Sequence, residues 1–339
     1  MNGKKMYDFR SVVGNEKIIK SLRLAIEHGR VSHACIFEGQ RGSGKSLIAK
    51  AFAKTLLCEE ARSVPCNNCI SCRQFESGNH PDVVYVERGK NDKGTQEIEI
   101  KVGTIREKIT QDVDIKPYSS RYKVFIIKDA DMMNVAAQNA FLKTLEEPPE
   151  YAVFLLLAEN PSKMLPTVLS RCQRFRTDNI PSDKIKAYLI KNGIAENQAS
   201  AASLFARGSI GIGMEIGSSE DFSSMRFDAA NRCIRLMEAD LIELYRITAE
   251  MDVYKDNIYS YLDIVYLLYR DCLVYKSTGS MDRVIQQDMA ESITRLSKLT
   301  GLKRLIRGCS LISEASDNLR RHGDFQLVIE NLFFKLKEK

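Results

Sequence analysis

In the first half of the chain, short apolar runs alternate with stretches of helical periodicity. His33–Glu38 (HACIFE), Asp82–Glu87 (DVVYVE), Lys123–Ile127 and Ala152–Leu157 each read as a short buried strand. Residues 14–28, the stretch after GQRGSGKS to about Leu57, residues 102–112 and Ala136–Glu147 carry the repeat of amphipathic helices. Pro148-Pro149 stops the last of these. Residues 88–97 are polar and read as a loop. Strands of this kind alternating with helices predict a parallel sheet covered on both faces.

After Pro181 the pattern changes. All eight prolines lie at or before that position, and the rest of the chain is helical in period: Lys184–Asn192, Glu196–Ala206, Arg226–Met251, Asn257–Tyr275, 282–299, 301–320 and 325–337. Asn257–Tyr275 is apolar nearly all round, so it is expected either deep in a bundle or covered by another subunit. The fold class expected is an α/β domain with a parallel sheet, followed by an all-helical half.

Composition narrows the function. The 339 residues are 44% hydrophobic and 28% charged, which excludes a disordered or fibrous chain. The longest apolar run, Tyr151–Ala158, is too short to span a membrane. The opening MNGKKMYDF has no apolar core, so no secretory signal and a cytoplasmic location are expected. The net charge is +6, and residues 1–50 alone hold ten Lys/Arg against four Asp/Glu. That excess suits an anionic partner, or is simply a solvated basic face.

The same basic segment carries Gly39-Gln40-Arg41-Gly42-Ser43-Gly44-Lys45-Ser46, a full G-x-x-x-x-G-K-[ST] phosphate loop between a predicted strand and a predicted helix. Glycines let successive N–H groups turn toward a phosphate, and the helix N-terminus adds positive charge. Lys45 is placed to reach the β- and γ-phosphates of ATP and Ser46 to ligate Mg²⁺. Hydrolysis needs more: an Asp for the metal and usually an adjacent Glu for the water, at the end of a neighbouring strand. The strand ending at Ile127 is followed by Lys128-Asp129-Ala130-Asp131. In one register Lys128 takes the metal position and Asp129 the Glu position. In the other, Asp129 is the metal ligand and Ala130 replaces the Glu. Either way Asp129 belongs to a degenerate acidic site, and binding with weak or absent hydrolysis is expected.

Cys58, Cys66, Cys69 and Cys72 form C-x7-C-x2-C-x2-C, a spacing that suits a closed, structural Zn²⁺ site. Cys35, Cys172, Cys233, Cys272 and Cys309 are scattered and read as ordinary buried thiols. The four histidines suggest no catalytic triad. Arg171, in Leu169-Ser170-Arg171-Cys172 beyond the last strand, is a local ion-pair partner or an arginine aimed at a neighbour's nucleotide.

Taken together, these motifs resemble bacterial clamp-loader subunits of DNA polymerase III, which are AAA+ proteins. Phe9-x-x-Val12-Val13-Gly14-Asn15 is similar to the adenine-side entry of AAA+ proteins. The phosphate loop, the four-cysteine insertion, Asn139-Ala140-Phe141-Leu142-Lys143-Thr144-Leu145-Glu146-Glu147-Pro148-Pro149 and Ser170-Arg171-Cys172 follow in the family's order. The likeness covers residues 8–178 and continues more weakly to Gln326–Leu332, similar to the family's last collar helix. It implies an AAA+ domain over 1–178, a helical lid over 179–240 and a collar over 241–339, assembled in a pentamer with gamma/tau and delta subunits that loads a sliding clamp on primed DNA. It also implies that Arg171 is an arginine finger acting in trans. The broken acidic pair, and Gly211 where the motor subunits carry an arginine after G-S-x, set the chain apart from the gamma/tau type. An active motor ATPase and a zinc-stabilised DNA-binding module with a vestigial nucleotide site are the alternatives.

Overall fold

The computed structural model describes residues 7–60, 63–89, 97–321 and 323–338. Most of the expected loop at 88–97 lies outside them. The described residues divide into two compact units, one of residues 1–184 with Gly208–Gly211, the other of Ile185–Arg207 with 212–339.

Five strands form the sheet of the first unit: β1 (Ala34–Glu38), β2 (Val83–Val86), β3 (Lys123–Ile127), β4 (Ala152–Ala158) and β5 (Gln173–Arg176). All pairings are parallel and the order is β2-β3-β4-β1-β5. Ile36 faces Leu156 on one side and Arg174 on the other. Strands β1, β3 and β4 are buried along their whole length, as expected for a sheet with helices on both faces. One face packs α1 (Glu16–Glu27) and α2 (Lys45–Leu57) through Phe37, Phe52, Ile48 and Leu155. The small α3 (Ile70–Ser77) adds Phe75 to the same cluster. The other face packs α4 (Val102–Ile105), the π-turn that continues it to Thr110, α5 (Val135–Glu146) and α6 (Pro166–Leu169). Its core joins Ile36, Phe125, Phe154, Ile105 and Phe141.

Strand β3 is fixed at its entry by Asp82, which is 1% exposed. Its carboxylate accepts from the backbone N–H groups of Tyr118, Ser119 and Ser120 and from the Ser119 hydroxyl. Burial pushes its pKa up, but these donors outweigh it and hold the carboxyl below its usual range. The contribution to stability is therefore complete above about pH 4 and is lost as the pH falls through the lower folded value. Asp82→Ala is expected to cost about 3 kcal/mol at neutral pH, with three backbone N–H donors and the Ser119 hydroxyl losing their acceptor. Denaturant titration checks this, and the deficit should shrink in acid.

The second unit is helical, and two of its helices begin or end in the first: α7 (Ser182–Lys191), α8 (Glu196–Phe205), α9 (Ile210–Gly217), α10 (Glu220–Glu238), α11 (Leu241–Ala249), α12 (Ile258–Thr278), α13 (Ala290–Leu299), α14 (Leu302–Arg320) and α15 (Phe325–Lys337). Helix α12 is the apolar one, and the bundle of this chain buries most of it: Tyr261, Leu262, Val265, Leu268 and Tyr269 lie in one core with α10, α13 and α14. Tyr259 and Tyr266 remain exposed on its outer side. Gly308 of α14 makes room for the Tyr269 ring, since a Cβ there would fall 2.5 Å from it.

The helices differ from the sequence expectation in several places: α9 falls in none of the expected stretches, α10 begins at Glu220, and two further differences have a visible cause. The stretch Arg226–Met251 is not one helix: it breaks at Ala239-Asp240, where the Asp240 carboxylate caps α11 by accepting from Glu243 N–H at 2.8 Å. Within 282–299 the α-helix begins only at Ala290. The residues before it are held instead by the buried Asp271, which accepts from the N–H groups of Ile285 and Gln286.

Candidate functional site

The phosphate loop leaves the C-terminal end of β1 and enters α2, so the strand and helix required by the motif are both present. Gly39, Gly42 and Gly44 all have positive φ. At Gly39 a side chain is excluded twice over, because a Cβ would also meet Thr177 Oγ1 at 1.9 Å. Thr177 follows β5 and ties the loop to the sheet. Its N–H and hydroxyl donate to Glu38 O, and its hydroxyl lies 2.9 Å from Ser43 Oγ. Lys45 is buried and folded back, its ammonium donating to the carbonyls of Gly39 and Gln40, the latter at 2.8 Å. Burial lowers its pKa, opposed by the carboxylates of Glu159, Asp131 and Asp129. Ser46 is exposed in the first turn of α2, while Arg41 is exposed on the loop and its carbonyl accepts from the Ser209 hydroxyl at 2.9 Å.

That last contact belongs to a second strip of backbone. Gly211 N–H donates to Gly42 O at 3.0 Å, and a Cβ at Gly211 would fall 2.7 Å from Gly42 Cα. The segment Gly208–Gly211 thus lies directly against the phosphate loop. On the sheet side of the loop, a cavity of about 610 Å³ is lined by Gly39, Gln40, Glu159, Arg174, Thr177 and Asn179 among others. That size is in the range of small-ligand pockets.

The acidic strand end is engaged by protein partners. Lys128 pairs with Glu87. Asp129, in left-handed conformation, pairs with Arg88 at 3.0 Å. Asp131 is 4% exposed and accepts from the N–H groups of Glu159 and Asn160 at the end of β4. In sequence Asp129 and Asp131 are separated by Ala130, so no consecutive carboxylate pair follows β3.

The four cysteines converge. All four sulfur atoms lie within 4.8 Å of one another, with Cys58–Cys69 at 3.9 Å and Cys66–Cys72 at 4.0 Å. Tetrahedral Zn²⁺ with bonds of about 2.3 Å requires sulfurs about 3.8 Å apart, whereas a disulfide requires about 2.05 Å. Backbone N–H groups of Cys66, Asn68, Cys69 and Cys72 point at the sulfurs within 3.4 Å, which favours thiolates. At Cys66 burial works against ionisation, but donors from Asn68 and Cys69 bring its pKa down to about 7. The group can hold a metal ion. Away from it, burial raises the Cys35, Cys172 and Cys272 thiols to about 12, as inert core residues.

Arg171 follows α6. Gln138 of α5 holds the approach to this turn, accepting from Leu165 N–H and donating to Lys163 O. The guanidinium donates to Thr167 O at 3.0 Å and to Glu146 Oε1 at 2.9 Å, with a third of the side chain exposed.

Residues 14–181 match the family model described as DNA polymerase III, delta subunit. The chain is also 28% identical to the delta' subunit of DNA polymerase III of Bacillus subtilis, covering 95% of this chain and 96% of that one. Residues 14–181 belong to the DNA polymerase III delta-subunit family. Over 178 residues it is 42% identical to the Bacillus subtilis tau subunit, covering 52% of this chain but spanning only 30% of that relative's length. A solved gamma subunit-related protein of Thermotoga maritima covers 94% of this chain and 98% of its own at 16% identity, with a TM-score of 0.42.

Several site residues carry no sequence signature. Glu38, at the end of β1, is buried and paired with Arg174 of β5. Thr177 and Ser209 touch the loop from more than 130 residues away in sequence. Glu159 reaches the site only because β4 lies beside β1.

Proposed function

We propose that the chain is a delta'-type subunit of a DNA polymerase III clamp loader that binds ATP statically, turns it over weakly or not at all, and lends Arg171 to the nucleotide site of an adjacent gamma/tau motor subunit. One observation carries this reading: an intact phosphate loop stands beside a strand end whose carboxylates are committed to Arg88 and to backbone N–H groups, while Arg171 is presented at the surface. The loop N–H groups and Lys45 bind phosphate, and Lys45 exchanges its present carbonyl acceptors for phosphate oxygens. Ser46 is placed for Mg²⁺. Asp129 and Asp131 do not activate water. Bound Zn²⁺ supplies a cross-link in the insertion and no chemistry.

In this reading residues 1–178 are the AAA+ domain, 179–240 a lid and 241–339 a collar, in a pentamer with gamma/tau and delta that places a sliding clamp on primed DNA. The test is ATP turnover by the purified chain, alone and then mixed with motor subunits. The lone chain is expected to bind ATP without steady-state hydrolysis, and Lys45→Ala to abolish the binding. Clear turnover by the lone chain, lost in Lys45→Ala, would identify a motor ATPase and overturn the reading.

A further inference from the structure

Between Cys66 and Cys69 the chain turns through Asn67 at φ +65°, and the Asn67 side chain reaches Lys54 and Asp8. Asn67 Oδ1 accepts from Lys54 Nζ at 2.6 Å, and Asn67 Nδ2 donates to Asp8 Oδ2 at 3.0 Å. Both partners are buried, Lys54 at 1% and Asp8 at 2% exposure. Lys54 lies on α2, the helix that begins at the phosphate loop, and also pairs with Glu76 of α3. Glu76 in turn accepts from Tyr7 N–H at 3.0 Å, and Phe75 packs edge-on against the Tyr7 ring. Asp8 accepts from Arg10 N–H and caps the short turn Phe9–Ser11.

The strip that starts here continues to the loop. Gly14 packs against Ile180, and Asn15 Oδ1 accepts from Asp178 N–H at 2.8 Å, next to Thr177, which touches Gly39 and Ser43. Residues 7–15 therefore run from the cysteine turn to the exit of β5 beside the phosphate loop. A cross-link that serves only its own insertion needs no amide bridging the buried Lys54 and Asp8 of two other elements.

We infer that the metal module positions the N-terminal strip: metal bound to the four cysteines fixes the Cys66–Cys69 turn, the turn aims Asn67, and Asn67 seats Asp8 and with it residues 7–15 at the nucleotide site. Asn67 is a positioning residue that couples metal binding to nucleotide binding. The inference rests on the metal and nucleotide readings above. Coupling of this kind is reciprocal: whatever factor the metal adds to nucleotide affinity, nucleotide adds to metal affinity.

The test is amide hydrogen exchange on the full chain with and without Zn²⁺, in wild type, Asn67→Gly and Asn67→Asp. Glycine keeps the positive φ and removes the amide. Aspartate keeps the acceptor for Lys54 and sets a carboxylate against Asp8. In both variants Zn²⁺ should remain bound, measured by release to a chelator. Exchange at Tyr7, Arg10 and Val12 should nevertheless rise about tenfold, as in metal-free wild type, while β1 and β4 stay protected. ATP affinity should fall by about the same factor, within the usual range of coupling between sites. Unchanged exchange at 7–12 in both zinc-loaded variants overturns the inference. Absence of ATP binding by wild type, with the exchange result as expected, counts against the nucleotide reading and leaves the seating role established.

Discussion

Arg171→Ala should slow ATP hydrolysis at the neighbouring motor site by on the order of 10³-fold. The assembled complex should lose less, because in the proposed assembly Arg171 serves one of several sites. The size of the effect follows from what a guanidinium does: it meets charge that develops on the γ-phosphate with a planar fork of donors. The fold should not notice the change. Arg171 is about a third exposed, and its ion pair with Glu146 is of the surface kind, worth less than about 1 kcal/mol. The melting temperature and ATP affinity of the isolated variant should therefore match wild type. Arg171→Lys keeps the charge but not the fork and should recover little activity. Glu146→Ala removes the brace alone and should cost less than Arg171→Ala. Turnover of the complex that is the same with and without Arg171 would remove the finger from the proposal.

The second large effect concerns the cysteines. Cys69→Ser should abolish stoichiometric Zn²⁺ binding and lower the melting temperature sharply. Structural zinc contributes on the order of 10 kcal/mol of binding free energy in small peptides, and that energy is folding energy for the segment that wraps it. Residues 58–78 have little else. Among the described residues of this stretch, Cys58, Pro65, Cys72 and Phe75 are the buried apolar residues. Zinc release to a chelating dye should give one ion per chain in wild type, one in Cys35→Ser and none in Cys69→Ser. Wild-type chain with no zinc after expression in zinc-replete medium would exclude the site.

Much of this site was legible in the sequence because its signals are local. The phosphate loop and the cysteine cluster are short contiguous motifs, and both appear in the structure with the flanks they require. The strands β1, β3 and β4 announced themselves as apolar runs. Strand β5 did not: in Gln173-Arg174-Phe175-Arg176 only Phe175 is buried, because an edge strand beside β1 packs little on its outer side. Helix α9 was invisible for the opposite reason. Its glycines are poor helix formers, yet Gly217 is needed where a Cβ would lie 2.7 Å from Ile194. The break before α11 had a readable signal, Asp240 three residues ahead of Glu243, which the apolar period around it masked. The partners of the acidic residues could not be read at all. Arg88 finds Asp129, and Asp131 finds the end of β4, only through the strand order.

The contact between Gly211 and Gly42 limits what engineering can do with this protein. Any side chain placed at position 211 would drive its first carbon into the backbone of the phosphate loop, 2.7 Å from Gly42 Cα. The two strips would have to be redesigned as a pair, with the loop moved aside before any new side chain could enter.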